Sequence, residues 1–227
     1  TIEWNAGANV NNTDDTTVYL RVVPNDGTIN GSTQTSAAFA VDTLVPTAPG
    51  DLGISTTSTQ GVTFNFGSQT TETNFKEYKI FYKTGSSGVA VTDSAMSSST
   101  FASLGSKTYS GQTTIALTGL ATSTQYVAKI WAYDTFGNLT PSASEISFYT
   151  LATAPGTPTV NNATATTLDV SLATNTNPAA VTYAIYEATT AKYLAADKTM
   201  TASTQVWQTT STWTTPITVT GLSSNTS

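Results

Sequence analysis

The sequence predicts an all-β protein built from tandem antiparallel β-sandwich modules. Three observations carry that expectation. Thr-Ala-Pro-Gly occurs at Thr47–Gly50 and again at Thr153–Gly156, 106 residues apart, and Thr118-Gly119-Leu120 returns as Thr220-Gly221-Leu222, 102 residues apart. A shared period of about 100 residues is the length of one small sandwich. Apolar residues also alternate with polar ones in short runs bounded by Gly, Ser, Asn and Pro, and no window shows a 3.6-residue apolar stripe.

The repeat divides the chain into residues 1–44, the C-terminal part of a module; 45–152, a complete module; and 153–227, the N-terminal part of a further one. In the first part Val18, Leu20 and Val22 alternate, Asn25-Asp26-Gly27 reads as a turn, and Phe39-x-Val41 reads as a closing strand. Pro46, Pro49 and Gly50 punctuate the start of the complete module. Val62, Phe64 and Phe66 then share one strand face, with Thr63 and Asn65 on the other. Tyr78, Ile80 and Tyr82 repeat the pattern, as do Ile115 and Leu117, followed by Leu120. Tyr126, Ala128, Ile130 and Ala132 share a face opposed by Val127, Lys129, Trp131 and Tyr133, and Ile146 and Phe148 close the module. Thr84–Ser110 is Ser/Gly-rich and reads as an irregular surface connection with a short edge strand around Val89–Val91. The last part repeats the early strands through Leu168-x-Val170-x-Leu172, Val181-x-Tyr183-x-Ile185 and Ile217-x-Val219-x-Gly221-Leu222.

The run from Gly119 to Asp134, with Gly-Leu at 119–120 and Thr-x-Tyr at 124–126 ahead of a strand ending Ala132-Tyr133-Asp134, resembles the E–F corner and F strand of fibronectin type III domains. The resemblance implies that Leu120 plugs the bottom of the core and that the Tyr126 hydroxyl bonds back to the backbone of the corner. It also implies F- and G-like strands in residues 1–44. Ala121 and Thr122 stand where that family often has Pro, and Phe66 and Leu172 stand where it has a B-strand Trp, which suggests a divergent prokaryotic version.

Composition narrows the functions. The chain has no His and no Cys, which removes imidazole bases, thiol nucleophiles, disulfides and the ligands of soft-metal sites. Only 10% of residues are charged, against roughly 25% in an average globular protein, and Ser and Thr fill about a third of the chain. A net charge of −6 with eight scattered basic residues offers no stripe for nucleic acid or anionic lipid. No apolar run approaches the ~20 residues of a membrane span. The chain starts with Thr and shows no signal-peptide pattern, which reads as a processed chain or an excerpt. Together these fit an extracellular or cell-surface protein.

The candidate site residues are few. Asp14, Asp15, Glu72, Glu77, Asp93 and Glu145 lie on polar stretches and read as solvated carboxylates, so no catalytic residue and no cofactor-binding residue is assigned. Asp26, Asp42, Asp51, Asp134 and Asn138 lie in turns or beside module junctions. Turn chemistry accounts for them and no metal ligand is assigned; calcium at a junction is the alternative. Trp131, Tyr133 and Tyr19 point away from the predicted core and are candidate contact aromatics, for cross-strand pairing, a neighbouring module or a glycan. Asn11, Asn30, Asn138, Asn162 and Asn225 begin Asn-x-Ser/Thr triplets, a number that chance explains in so Thr-rich a chain.

The functional expectation is a non-enzymatic structural building block or spacer of a cell-surface or filamentous assembly. Its partners are copies of itself or neighbouring modules. In one version Val18, Leu20 and Val22 of one copy complete the open core behind Leu168, Val170 and Leu222 of the next, head to tail. The alternative is an adhesive or carbohydrate-binding module appended to a secreted enzyme or adhesin.

Overall fold

A computed structural model describes residues 3–223. The strand pairs whose register is described are antiparallel, and one isolated bridge, Thr199 with Thr220, is parallel. Contacts gather the chain into two compact units. One holds the residues up to Ser55 with Phe64–Ile115 and Tyr126–Ser147; the other holds Thr56–Thr63, Ala116–Gln125 and the chain from Phe148. The division runs through strands, whereas the sequence repeat places its boundaries at 45 and 152.

Residues 3–44 form two short hairpins. β1 (Asp14–Val18) pairs with β4 (Phe39–Asp42), and β2 (Arg21–Val22) pairs with β3 (Gln34–Thr35). The alternation of Val18, Leu20 and Val22 is broken by the gap between β1 and β2, and Leu20 and Val22 are exposed. Val18 pairs with Phe39, whose ring meets Trp4 edge-on.

Eight strands follow: β5 (Gly53–Ser58), β6 (Gly61–Asn65), β7 (Phe75–Thr84), β8 (Ser94–Met96), β9 (Thr114–Thr118), β10 (Gln125–Asp134), β11 (Leu139–Pro141) and β12 (Ile146–Tyr149). They build a β5-β6-β9 sheet and a β8-β7-β10-β11 sheet, with β12 also on β10. In sandwich lettering this is A-B-E and C′-C-F-G. Each sheet buries the face that alternation predicts: Val62, Phe64, Ile115 and Leu117 in one; Tyr78, Ile80, Ala128, Ile130 and Ala132 in the other. Phe66 lies past the end of β6 and stacks on Tyr109, centroids 4.0 Å apart.

The Thr84–Ser110 connection differs from expectation. Its strand is β8, registered Met96 opposite Ile80, not Val89–Val91. Val89 instead folds over the outer face of β7 and β10, burying Phe81, Val127 and Trp131. Glu145 holds that fold down: its two carboxylate oxygens accept the N–H groups of Gly88 and Val89, each at 2.8 Å. Two 3₁₀ turns, Ala102–Gly105 and Tyr109–Gly111, anchor the rest through buried Leu104 and Tyr109.

The C-terminal part has β13 (Gly156–Asn161), β14 (Leu168–Ala173), β15 (Thr182–Tyr183), β16 (Tyr186–Glu187), β17 (Lys192–Tyr193), β18 (Gln208–Thr209) and β19 (Ile217–Val219), with a β13-β14-β19 sheet and two hairpins, β15-β18 and β16-β17. Its core is closed by its own residues, which corrects the expectation of an open one. Val170, Ile217 and Val219 are covered by Leu194 and by Trp213 on the short helix α1 (Thr210–Trp213). Trp213 donates its indole N–H to the Tyr183 carbonyl at 3.0 Å, and the Thr209 hydroxyl caps the helix by accepting from Thr212 N–H.

The two Thr-Ala-Pro-Gly copies do the same job. The Thr47 hydroxyl shares a hydrogen bond with that of Thr70 at 3.2 Å and accepts from Thr71 N–H at 2.6 Å. The Thr153 hydroxyl shares one with Thr176 at 3.3 Å and donates to Asn177 Oδ1 at 2.7 Å. Asn177 also accepts the Thr153 N–H and donates to its carbonyl. The motif's Gly is a close approach in both copies: a Cβ on Gly50 would lie 2.2 Å from Ser68 N, and one on Gly156 would lie 2.9 Å from the Ala173 Cβ.

Candidate metal centre

Three carboxylates meet where strand ends of the first unit converge. Asp42 ends β4, Glu72 precedes β7, and Asp134 ends β10. They are 8%, 6% and 0% exposed, and one oxygen of each lies within 4.8 Å of the others.

Local chemistry holds each in place. Asp134 closes the β10–β11 turn: its Oδ1 accepts the N–H groups of Phe136, Gly137 and Asn138 at 2.9, 2.7 and 2.8 Å. This is the use of Asp that turns favour, a side-chain acceptor standing in for backbone. Asn138 then donates its amide to Asp134 Oδ2 at 2.7 Å and to the Asp42 carbonyl at 3.0 Å. Asn74 is the second amide. Its N–H donates to Glu72 Oε1 at 2.8 Å, and its side chain donates to Asp42 Oδ2 at 2.8 Å and Asp14 Oδ1 at 2.9 Å. Leu44 N–H donates to Asp42 Oδ1. Lys107 donates to the Glu72 backbone carbonyl at 2.9 Å, not to a carboxylate.

Of the five residues suggested for calcium, the fold brings together Asp42, Asp134 and Asn138. Asp26 and Asp51 stand apart. Asp26 organises its own exposed turn, where the N–H groups of Ile29 and Thr28 and the Thr28 hydroxyl hold its carboxyl at about 2. Asp51 accepts Ser144 N–H at 2.7 Å, which keeps its carboxyl below the usual range. Glu72 is the member that sequence reasoning missed. It sits among Thr70, Thr71, Thr73 and Asn74, a stretch that looks solvated, and nothing local marks its burial.

The other carboxylates read as solvated turn out to organise backbone. Glu77 is buried and accepts from Ser98 N–H and Oγ at 3.0 and 2.6 Å. Asp93 accepts Ala90 N–H, and Asp15 accepts Thr17 N–H.

The remaining site residues fall as follows. Leu120 and Tyr126 are buried. The Leu120 N–H donates to the Gln60 carbonyl at 3.0 Å, and the Thr150 hydroxyl closes the corner by donating to the Ala121 carbonyl at 2.7 Å. Trp131 lies on the face opposite Ile130, as the alternation requires, but is only 6% exposed. Tyr133 is half-buried beneath the Lys79 ammonium, 4.8 Å from its ring centroid. Of the three candidate contact aromatics only Tyr19, 54% exposed, presents an open ring.

No protein-family model and no curated protein matches the sequence. Among solved structures, the chain is similar to a two-domain fibronectin type III segment of chicken tenascin, at 16% identity, covering 78% of this chain and 84% of that one with a TM-score of 0.48. It is also similar to the FN1–FN3 domains of chicken CNTN1, at 13% identity over 60% of this chain and 44% of that one, TM-score 0.39. A third likeness is to chitinase ChiA74 from Bacillus thuringiensis, at 19% identity over 56% of this chain and 17% of that one, TM-score 0.34.

Proposed function

We propose that the chain is a non-catalytic structural spacer of an extracellular, repetitive assembly, with neighbouring modules or further copies of itself as partners. The observation that carries this reading is the matched pair of Thr clamps. Thr47 and Thr153 each tie the start of a module to residues 23 and 24 positions later, through hydroxyl and backbone bonds. A motif fastened in this way is an ordered part of the module that it opens, where a Gly/Ser linker would be a flexible coil. The neutral hydroxyl surface and the lack of His and Cys suit a part that bears load without chemistry. No helix among the described residues is long and apolar enough to cross a membrane.

Strand complementation between copies is a narrower version, and it draws less support. Val170 is already enclosed by Leu194, Trp213, Ile217 and Val219, so a donated strand would have to use a sheet edge instead of an open core. The adhesive alternative loses most of its aromatic platform with Trp131 covered and Tyr133 beneath Lys79.

Backbone ¹⁵N relaxation tests the spacer. The amides of Ala48, Gly50, Ala154 and Gly156 are expected to show order parameters of about 0.85, like the strands. Thr47→Val and Thr153→Val are expected to lower them at their own link only. Order parameters below about 0.6 at both links of the unmodified chain would overturn the reading.

A further inference from the structure

We propose that residues 85–93 form a latched flap that swings off the β7–β10 pair as one piece, uncovering the aromatic face beneath while the strands stay folded. The flap is the loop that joins β7 to β8, and its base is fixed by the register pair Tyr82–Ser94. Opening therefore needs no strand to slip.

The first argument is that the loop is braced within itself. Lys83, near the end of β7, donates to the Gly88 carbonyl and pairs with the Asp93 carboxylate at 3.9 Å. Asp93 accepts the Ala90 N–H at 2.8 Å and donates its own N–H to the Ala90 carbonyl at 3.1 Å. These contacts lie inside the hairpin, so they keep its shape whether or not it rests on the sheet. The chain leaves β7 through Gly85, whose φ of +117° is one that side chains resist, with open space around its Cα. That residue is the natural hinge.

The second argument is how little ties the loop down. Within 85–93 only Val89 is buried; Gly85–Gly88 and Ala90–Thr92 are exposed. Among the described residues, the hydrogen bonds that leave this loop for a distant part of the chain all end on Glu145, which takes the Gly88 and Val89 N–H groups on its two oxygens. Both acceptors are needed, and only an ionised carboxylate offers both. A segment with one buried apolar side chain and solvent-facing bonds opens at a free energy well below that of global unfolding.

The third argument is that the face beneath is built without the flap. Phe81, Val127 and Trp131 are positioned by the β7–β10 register, and the inner side of the same strands is buried through Ile80 and Ile130. Lifting Val89 thus turns one core face into surface and leaves the other intact. The surface would present Phe81, Trp131 and Tyr133, with the Lys129 ammonium 5.8 Å from the Trp131 ring centroid and that of Lys79 over Tyr133. Burial of the rings keeps the closed form dominant, and Glu145 sets how often the face is shown.

The test is native-state hydrogen exchange on the full chain, with acrylamide quenching as a second readout. The Gly88 and Val89 amides are expected to exchange at least about tenfold faster than the slowest β10 amides, with little dependence on low urea, as local openings do. Glu145→Gln is expected to speed the two flap amides at least about tenfold, the loss of one charge-assisted hydrogen bond, and to leave the slowest β10 amides unchanged. In a Trp4→Phe, Trp207→Phe background, whose emission comes from Trp131 and Trp213, Glu145→Gln should raise the quenchable fraction without moving the urea midpoint. Val89→Ala should act in the same direction. Flap amides that exchange only with the β10 amides would overturn the proposal in the unmodified chain, even if the variants fail to fold. So would a folded Glu145→Gln in which the flap amides are no faster, the β10 amides speed up equally, or Trp131 stays as shielded as before. The link order parameters are a separate readout, so the spacer reading and the flap can fail independently.

Discussion

Phe81 meets Trp131 edge to face on the outer side of the β7–β10 pair, ring centroids 5.1 Å apart and planes at 86°. They are diagonal neighbours, since Phe81 lies opposite Lys129 in the register and Trp131 opposite Lys79. The T-shaped arrangement is one that aromatic quadrupoles favour. With Val89 laid across it, this sheet is buried on both faces, and the second face is a small core of its own.

Trp131→Ala should therefore cost about 3 kcal/mol or more, as for other buried aromatic truncations. The urea midpoint measures it. Native-state exchange should show the Gly88 and Val89 amides losing protection first, because the Glu145 bonds would then hold a loop with nothing beneath it. A shift of the midpoint by less than about 0.5 kcal/mol equivalent would mean that the ring is not part of a packed core.

The two motif glycines should differ in tolerance. A Cβ at Gly50 would meet backbone, Ser68 N at 2.2 Å, which cannot step aside without moving a strand end. A Cβ at Gly156 would meet the Ala173 Cβ at 2.9 Å, a milder overlap than at Gly50, although that methyl moves only with its own backbone. Gly50→Ala is expected to cost about 3 kcal/mol and Gly156→Ala about 1 kcal/mol, within the range of overpacking. Equal losses in thermal unfolding would contradict the difference in approach.

The corner makes a smaller prediction. Tyr126 is buried at the start of β10, and its hydroxyl is proposed to bond the corner backbone near Leu120–Ser123. Tyr126→Phe removes one oxygen and should lower stability by about 1 kcal/mol, the worth of one buried hydrogen bond. An unchanged denaturant midpoint would count against the corner.

Glu77 predicts a pH dependence. Burial pushes its carboxyl up, but the Ser98 hydroxyl and N–H and the Lys79 ammonium more than offset this, so the folded value lies below the ordinary 4.5. A carboxyl lowered on folding contributes stability that is fully present above about 4.5 and is lost as pH falls through the folded value. Glu77→Gln should flatten stability against pH in that acidic window and leave its slope near neutrality unaltered. A slope below pH ~4.5 that survives the substitution would assign the effect to other carboxylates.

The sheets were legible in the sequence because period-two burial is local. Ile80, Ile130 and Leu117 are buried for a reason that their immediate neighbours display. What stayed hidden depends on chain segments far away. Trp131 reads as an outward residue until Val89 returns from a Ser/Gly-rich loop to cover it, and that loop has no periodicity to read. The C-terminal core is closed by Leu194 and Trp213, both on irregular or very short elements, so the sequence showed only its strands and left it apparently open. Within the carboxylate cluster, Asp134 and Asn138 could be found because a turn needs them. Glu72 could not, because its burial is imposed by β4, β7 and β10 converging and not by anything between Thr70 and Asn74.

The burial of Trp131 and Trp213 has an optical consequence. The chain's four indoles divide evenly: Trp131 and Trp213 are shielded, one in each compact unit, while Trp4 and Trp207 face solvent. A soluble quencher such as acrylamide would first extinguish the exposed pair, leaving an emission that comes from two interior positions. Each unit thus carries its own fluorophore, and replacing Trp4 and Trp207 with Phe would yield a protein whose red shift on heating reports the loosening of one unit or the other without any added label.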